Sequence, residues 1–189
     1  MSAEPAQVLN QAGEHIADEI ITQPVEEQAI TLDPQKLMRY MERLRDEQNL
    51  MMGLVGGFLG AAIGAVLWAV ITVLTEYQIG YMALGVGFLT GIGVKFLGKG
   101  IDRSFQIAGA ALALFGCLAG NLMVVVIFAS LETGLSVSTI LAGLTPPLIV
   151  DLYAATINVM DLLFYGLAIT IGYKYSLQTI PQEDMEKLI

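Results

Sequence analysis

In a chain that is 55% hydrophobic, the side chains able to do chemistry are few enough to be weighed one by one. Asp161 comes first, because a carboxyl at the centre of a bilayer costs about 2.5–3.5 kcal/mol on insertion scales and an ionisable group in an apolar span by default marks a functional site. Asn158 lies one helical turn before it, and Asn121 is a strongly polar residue in another apolar stretch. The three could form one polar cluster, able to bind or pass a small solute. A plainer reading puts Asp161 at headgroup level, where it costs little and marks the start of a helix. No Lys or Arg lies on that side of the predicted topology, which weakens an ion pair or a proton relay.

Other chemistry is excluded more firmly. The single cysteine, Cys117, sits in an apolar run and the single histidine, His15, in the leader, so neither a disulfide framework nor a Cys- or His-based metal site is expected. No H-E-x-x-H, G-x-S-x-G or Walker loop occurs, and "GVGFLTG" lies within an apolar stretch rather than after a soluble strand. The expectation is a protein without catalytic residues, metal or cofactor. Of the formal net charge of −9, much comes from residues 1–33, where Glu4, Glu14, Asp18, Glu19, Glu26, Glu27 and Asp33 stand without a Lys or Arg. Nucleic acid, which needs clustered cations against phosphate, is not an expected partner.

The elements that would position these residues are membrane helices. About 20 apolar residues span a hydrocarbon core, and four segments qualify: 51–75, 79–98, 105–130 and 157–174. The fold class expected is all-α, a four-helix membrane bundle. Glycine patterns say how it packs. Gly53, Gly56, Gly57, Gly60 and Gly64 in the first span, Gly87 and Gly91 in the second, and Gly116 and Gly120 in the third fall at four-residue spacing, which clears one helix face and lets backbones approach. Packing within one bundle, a contact between copies and a pore wall are the possible uses, in that order of preference.

Basic residues set the orientation, since cytoplasmic flanks are enriched in Lys and Arg. Lys36, Arg39, Arg43 and Arg45 precede the first span, Lys95, Lys99 and Arg103 surround the second connection, and Lys174 and Lys187 follow the last. With four spans all of them share one side, so both termini are expected to be cytoplasmic. Lys95, Lys99 and Arg103 could also hold anionic lipid headgroups, each contact worth about 1 kcal/mol. No basic-then-apolar leader marks a signal peptide, so insertion by an internal segment is expected.

Outside the spans, residues 34–50 read as an amphipathic juxtamembrane helix. Asp33 supplies the N-cap and Pro34 the first position, Leu37, Met41 and Leu44 make an apolar stripe, and no breaker separates it from the first span, so one continuous helix is expected. Leu9, Ile16 and Ile20 suggest a weaker helix within leader 1–33, and 176–189 forms a tail. The long apolar loop 131–156 contains Pro146 and Pro147, which break any continuous helix. It is expected to lie along the outer interface as one or two short helices, with a re-entrant hairpin as the alternative.

The stretches "GYMALGVGFLTGIGVKFLGKG", "GAALALFGCLAGNL" and "MDLLFYGLAITIGYKYS" resemble those of small, glycine-rich, four-span bacterial inner-membrane proteins of unknown function. The resemblance covers residues 51–175. It implies a bacterial inner-membrane location and brings no activity and no catalytic residue. The functional expectation is a scaffold or accessory subunit that associates with a protein partner or with its own copies; the alternative is a small channel or transporter with its polar cluster near the outer face.

Overall fold

The computed structural model describes residues 33–77, 80–181 and 183–184, and every regular element among them is a helix. In order these are α1 (Pro34–Glu47), α2 (Leu50–Thr75), α3 (Met82–Gly98), α4 (Arg103–Thr133), α5 (Val137–Ala142), α6 (Pro146–Thr156) and α7 (Val159–Tyr175). The expected leader helix around Leu9, Ile16 and Ile20 lies outside the described residues.

Two helices, α2 and α4, are long and apolar enough to cross a membrane, and a third crossing exists if α6 and α7, bent by 105° at their junction, count as one span. The burial pattern agrees with a lipid surround. On α2 the buried residues are mostly glycine and alanine, while Phe58, Leu59 and Ile63 are more than half exposed. Water would drive those large side chains inward; lipid does not, and the interior is left to small residues that bring backbones together.

The register follows from which backbones meet. Gly53, Gly56, Gly60 and Gly64 of α2 face Gly98, Gly93, Leu89 and Val86 of α3 in descending order, so these helices run antiparallel. Gly87 and Gly91 of α3 face Ala168 and Gly172 of α7 in ascending order, so those two run parallel. Gly116 and Gly120 of α4 meet Ala61 and Ala65 of α2, again in parallel, and Gly109 of α4 meets Gly172 of α7. The chain therefore runs up, down, up, down, with α3 and α4 touching across the middle and α2 and α7 on opposite flanks. Trp68, Ala83, Val86, Cys117, Val124, Tyr165 and Ala168 form the core between them.

Several boundaries differ from those read in the sequence: α4 runs past 105–130 at both ends, and α7 starts at Val159 rather than 157. The helix of residues 34–50 is not continuous with the first span: α1 stops at Glu47, and Gln48 and Asn49 are extended. Tertiary hydrogen bonds hold the break open, since Asn49 caps α2 by accepting from the Met52 N–H while its own N–H donates to the Gly98 carbonyl at 2.9 Å. The Gln48 amide donates to Asp102 at 2.6 Å and accepts from the Ile101 N–H. The helix read in the sequence as a second span begins at Met82 rather than 79; Gly80 turns beneath the Phe164 ring, where a side chain would collide. Its 17 residues reach ~26 Å at 1.5 Å each, a little short of a hydrocarbon core, whereas the 31 residues of α4 reach ~46 Å and overhang it. Gly134, at φ 70°, then ends α4 by donating its N–H to the Ser130 carbonyl.

Pro146 and Pro147 break the long connection as expected, and they also begin α6, because a proline at a helix start removes an N–H that has no partner there anyway. Residues 131–156 thus hold two short helices, neither with a buried residue. Tyr153 ties α6 down, its hydroxyl donating to the Leu118 carbonyl of α4 at 2.8 Å.

Candidate functional site

Charge divides the molecule into two ends. Every described Lys and Arg belongs to α1, the end of α3, the start of α4 and the connection between them, or the foot of α7, which meet at one end; Glu76, Glu132, Asp151 and Asp161 belong to the other. At the basic end Lys99 pairs with Glu47 at 3.6 Å, Arg45 approaches Asp102 at 4.0 Å, and the Lys95 ammonium donates to Thr179 at 3.1 Å. Two of the three cations assigned to lipid headgroups, Lys95 and Lys99, thus have partners within the chain, while Arg103 opens α4.

At the acidic end the expected cluster of Asp161, Asn158 and Asn121 divides into two linked parts. Asn158 and Asp161 form a capping box: Asn158 accepts from the N–H groups of Met160 and Asp161, and Asp161 accepts from the Asn158 N–H at 3.0 Å. That explains how a carboxyl only 5% exposed is satisfied without a cation. Asn121 bonds elsewhere, its amide donating at 2.8 Å to the hydroxyl of Tyr165, one turn beyond Asp161 on α7. Tyr165 in turn lies edge-on to Trp68 of α2, with ring centroids 6.3 Å apart.

Beside Asn121 a cavity of about 400 Å³ opens between α2, α4 and the end of α6. Thr72 and Glu76 come from α2, Asn121, Phe128 and Glu132 from α4, and Thr156 from α6, with Val124, Val125 and Ala129 as apolar wall. Thr72 and Trp68 are each 1% exposed, and the Thr72 hydroxyl and the Trp68 indole N–H have no partner. Threonines in these helices ordinarily satisfy themselves: Thr75, Thr90, Thr133, Thr156 and Thr170 each donate to the carbonyl four residues back. Thr72 does not, and a buried hydroxyl left unbonded costs about 1–3 kcal/mol.

Of these residues only Asn121 stood out in the sequence. Thr72 and Glu76 lie one helical turn apart at the end of the first span, a weak signal; Glu132 and Thr156 come from distant segments and gave none. Among the described residues no three His, Cys, Asp or Glu side chains converge in a metal-binding group.

The nine glycines expected to pack helices all find their neighbours inside this chain. A side chain at Gly56 would strike the Gly93 carbonyl, at Gly60 the Leu89 carbonyl and at Gly87 the Ala168 carbonyl. Gly53 packs on Phe105, Gly57 on Val94 and Leu112, Gly64 on Val86, Gly91 on Tyr175, Gly116 on Val86 and Ala61, and Gly120 on Trp68. Gly93, Gly98, Gly109 and Gly172 complete the seams from the partner side. The groove on α2 is filled by α3.

Compared with protein-family models, curated proteins and solved structures, the chain has no match.

Proposed function

We propose that the chain is a non-enzymatic, four-span protein of a bacterial inner membrane, both termini cytoplasmic, acting as a scaffold or accessory subunit of a membrane complex. The observation that carries this reading is α1. It is a 14-residue helix with no buried residue, joined to the rest of the described residues near its base, by Gln48 with Asp102 and by the Glu47–Lys99 and Arg45–Asp102 pairs, and along one edge by Tyr40 and Asp184. Its apolar stripe of Leu37, Met41 and Leu44 is only half-buried, and Met38 beside it is exposed, which suits a partner helix. Glycine seams closed within the chain support a bundle that is complete before any partner arrives, so association falls to its ends. The short α3 and α7 would cross with local thinning of the bilayer, at a modest cost per ångström. Collection of Lys and Arg at the end from which α1 projects supports a cytoplasmic placement of that end.

Purification from native membranes in mild detergent tests the reading: the full chain should bring a defined partner, and a chain lacking residues 1–47 should lose it. Recovery of the full chain as a partnerless monomer would overturn it. Cysteines placed at the exposed positions 77 and 104 in a Cys117→Ala background should react from opposite faces of the membrane; labelling of both from one face would overturn the topology.

A second reading, a small channel or transporter with its polar cluster near the outer face, is favoured by the cavity beside Asn121. Asp161→Asn separates the two: a transporter using Asp161 would lose flux, and a scaffold would keep its assembly.

A further inference from the structure

We infer that the bundle imposes two thicknesses on the bilayer, thin along α3 and α7 and full along α2 and α4, and so gathers short-chain lipids on one side only. This rests on the four-span reading and adds to it a lipid partner and a side. The helices are paired by length. The two short ones, α3 and α7 with 17 residues each, pack together where Gly87 meets Ala168 and Gly91 meets Gly172. The two long ones, α2 with 26 and α4 with 31, pack together where Ala61 meets Gly116 and Ala65 meets Gly120. At about 1.5 Å per residue the short pair reaches ~26 Å and α2 reaches ~39 Å, against a hydrocarbon core of about 30 Å. Lys95 and Lys174 occupy the last turns of α3 and α7 and shorten that side further, whereas α2 carries no charge.

The step lies at the outer end. Val86 of α3 faces Gly64 of α2, so Met82, one turn further out, stands level with Trp68, and α2 continues ~10 Å beyond it to Thr75. The chain comes back down that distance without a helix: Glu76, Tyr77, Gly80 and Tyr81 are turn or irregular backbone. Irregular backbone exposed to hydrocarbon leaves N–H and C=O groups unbonded, which lipid does not tolerate. Tyr77 and Tyr81 are 75% and 69% exposed, so protein does not cover this connection. The outer leaflet must therefore dip to the start of α3. Helix α6 marks the same level: bent by 105° from α7, it ends at Thr156 beside Thr72 and holds the Leu118 carbonyl through Tyr153. No residue of α6 is buried, and Leu148 and Val150 are exposed, as in a helix lying in the interface. A short apolar run is met by thinning of the bilayer beside it, and lipids with short chains fit that thinner zone at least cost.

Labels at exposed positions of the full chain, with Cys117→Ala and reconstituted in dioleoylphosphatidylcholine, read the step. Val86 and Gly87 of α3 set Gly64 of α2 level with Ala168 of α7, and V70C and M160C each lie roughly two turns further out, both facing away from the core. Accessibility of nitroxides at these positions to oxygen and to a nickel chelate should place position 160 at headgroup depth and position 70 inside the hydrocarbon. Lipid choice is read at mid-depth, with a bimane at L167C on α7 or at I63C on α2, both exposed. A brominated short-chain phosphatidylcholine should quench position 167 about twofold more than a brominated long-chain one, and position 63 should show no such preference. Equal depth at 160 and 70, or the same chain-length preference at 167 and 63, would overturn the inference. Failure of the four-span reading shows separately, as labelling of positions 77 and 104 from one face of the membrane.

Discussion

Gly56 of α2 and Gly93 of α3 meet backbone to backbone: a Cβ built on either one would collide with the carbonyl oxygen of the other. The contact is reciprocal and involves main-chain atoms on both sides, which cannot swing away as a side chain could. Gly93→Ala and Gly60→Leu should therefore separate α2 from α3, at a cost of about 1–3 kcal/mol or more. For a chain of this length that corresponds to roughly 2–4 °C of thermal midpoint per kcal/mol. Gly85→Ala and Gly166→Ala supply the control, because nothing lies within 4 Å of a side chain added at either. They should leave the midpoint unchanged or raise it, alanine being about 1 kcal/mol better than glycine in a helix. Unfolding followed by circular dichroism in detergent reads all four; unchanged midpoints for Gly93→Ala and Gly60→Leu would show the seam to be slack.

Spacing made the α2 face of this seam visible, and it could not name the neighbour. Gly53, Gly56, Gly60 and Gly64 recur on one side of any helix, whereas Gly93 and Gly98 follow a different spacing and join them only through the antiparallel register. Apolar length located α2 and α4 within a few residues, because the hydrophobic run is a local property. The break at Gln48 and Asn49 was not legible, since its cause lies about fifty residues away at Gly98, Ile101 and Asp102. The cavity was hidden for the same reason: Thr72, Asn121 and Thr156 come from three helices and meet only once those pack. Asp161 drew attention for its cost in an apolar setting, and the sequence also offered the plainer alternative that it opens a helix, which is the bonding it has in the capping box with Asn158.

That capping box makes its own forecast. Asn158→Ala removes the acceptor for two N–H groups at the start of α7 and should cost about 0.5–2 kcal/mol. Asp161→Asn keeps an oxygen that can accept from the Asn158 N–H and should cost less. Hydrogen exchange in the first turn of α7 measures the difference, with faster exchange expected in Asn158→Ala and a smaller change in Asp161→Asn. The reverse ranking would mean that the charge of Asp161, rather than its bonding, holds the helix start.

At the basic end Asp102 is a junction, accepting from the Gln48 amide at 2.6 Å and facing Arg45 at 4.0 Å. The ion pair is largely solvated and worth little; the hydrogen bond to a charged acceptor contributes about 1.5–3 kcal/mol. Asp102→Ala should free the α1–α2 junction and raise the proteolytic cleavage rate near residue 48, with the thermal midpoint of the bundle little changed. Arg45→Ala should have almost no effect on cleavage. Equal sensitivity of the two variants would shift the weight from the amide to the ion pair.

Tyr40 carries the pH dependence of the same region. Its hydroxyl donates to Asp184 at 3.1 Å, linking α1 to the C-terminal tail. Burial first, and then the bond to Asp184 and its negative charge, hold the phenol above its ordinary value of 10.0, since ionisation would put a phenolate beside a carboxylate. The sign follows from linkage. A group whose folded value is raised stabilises the folded form fully below the unfolded value, and that stabilisation is lost as pH climbs through the raised one. The gap in thermal midpoint between the native chain and Tyr40→Phe should thus be constant up to about pH 10 and close above it. In absorbance titrations Tyr40→Phe should delete one late-ionising phenol, and Asp184→Asn should move that phenol back toward its ordinary value. A midpoint gap that persists well above pH 10, or an unaltered titration in Asp184→Asn, would show that the contact between α1 and the tail does not depend on the protonated hydroxyl.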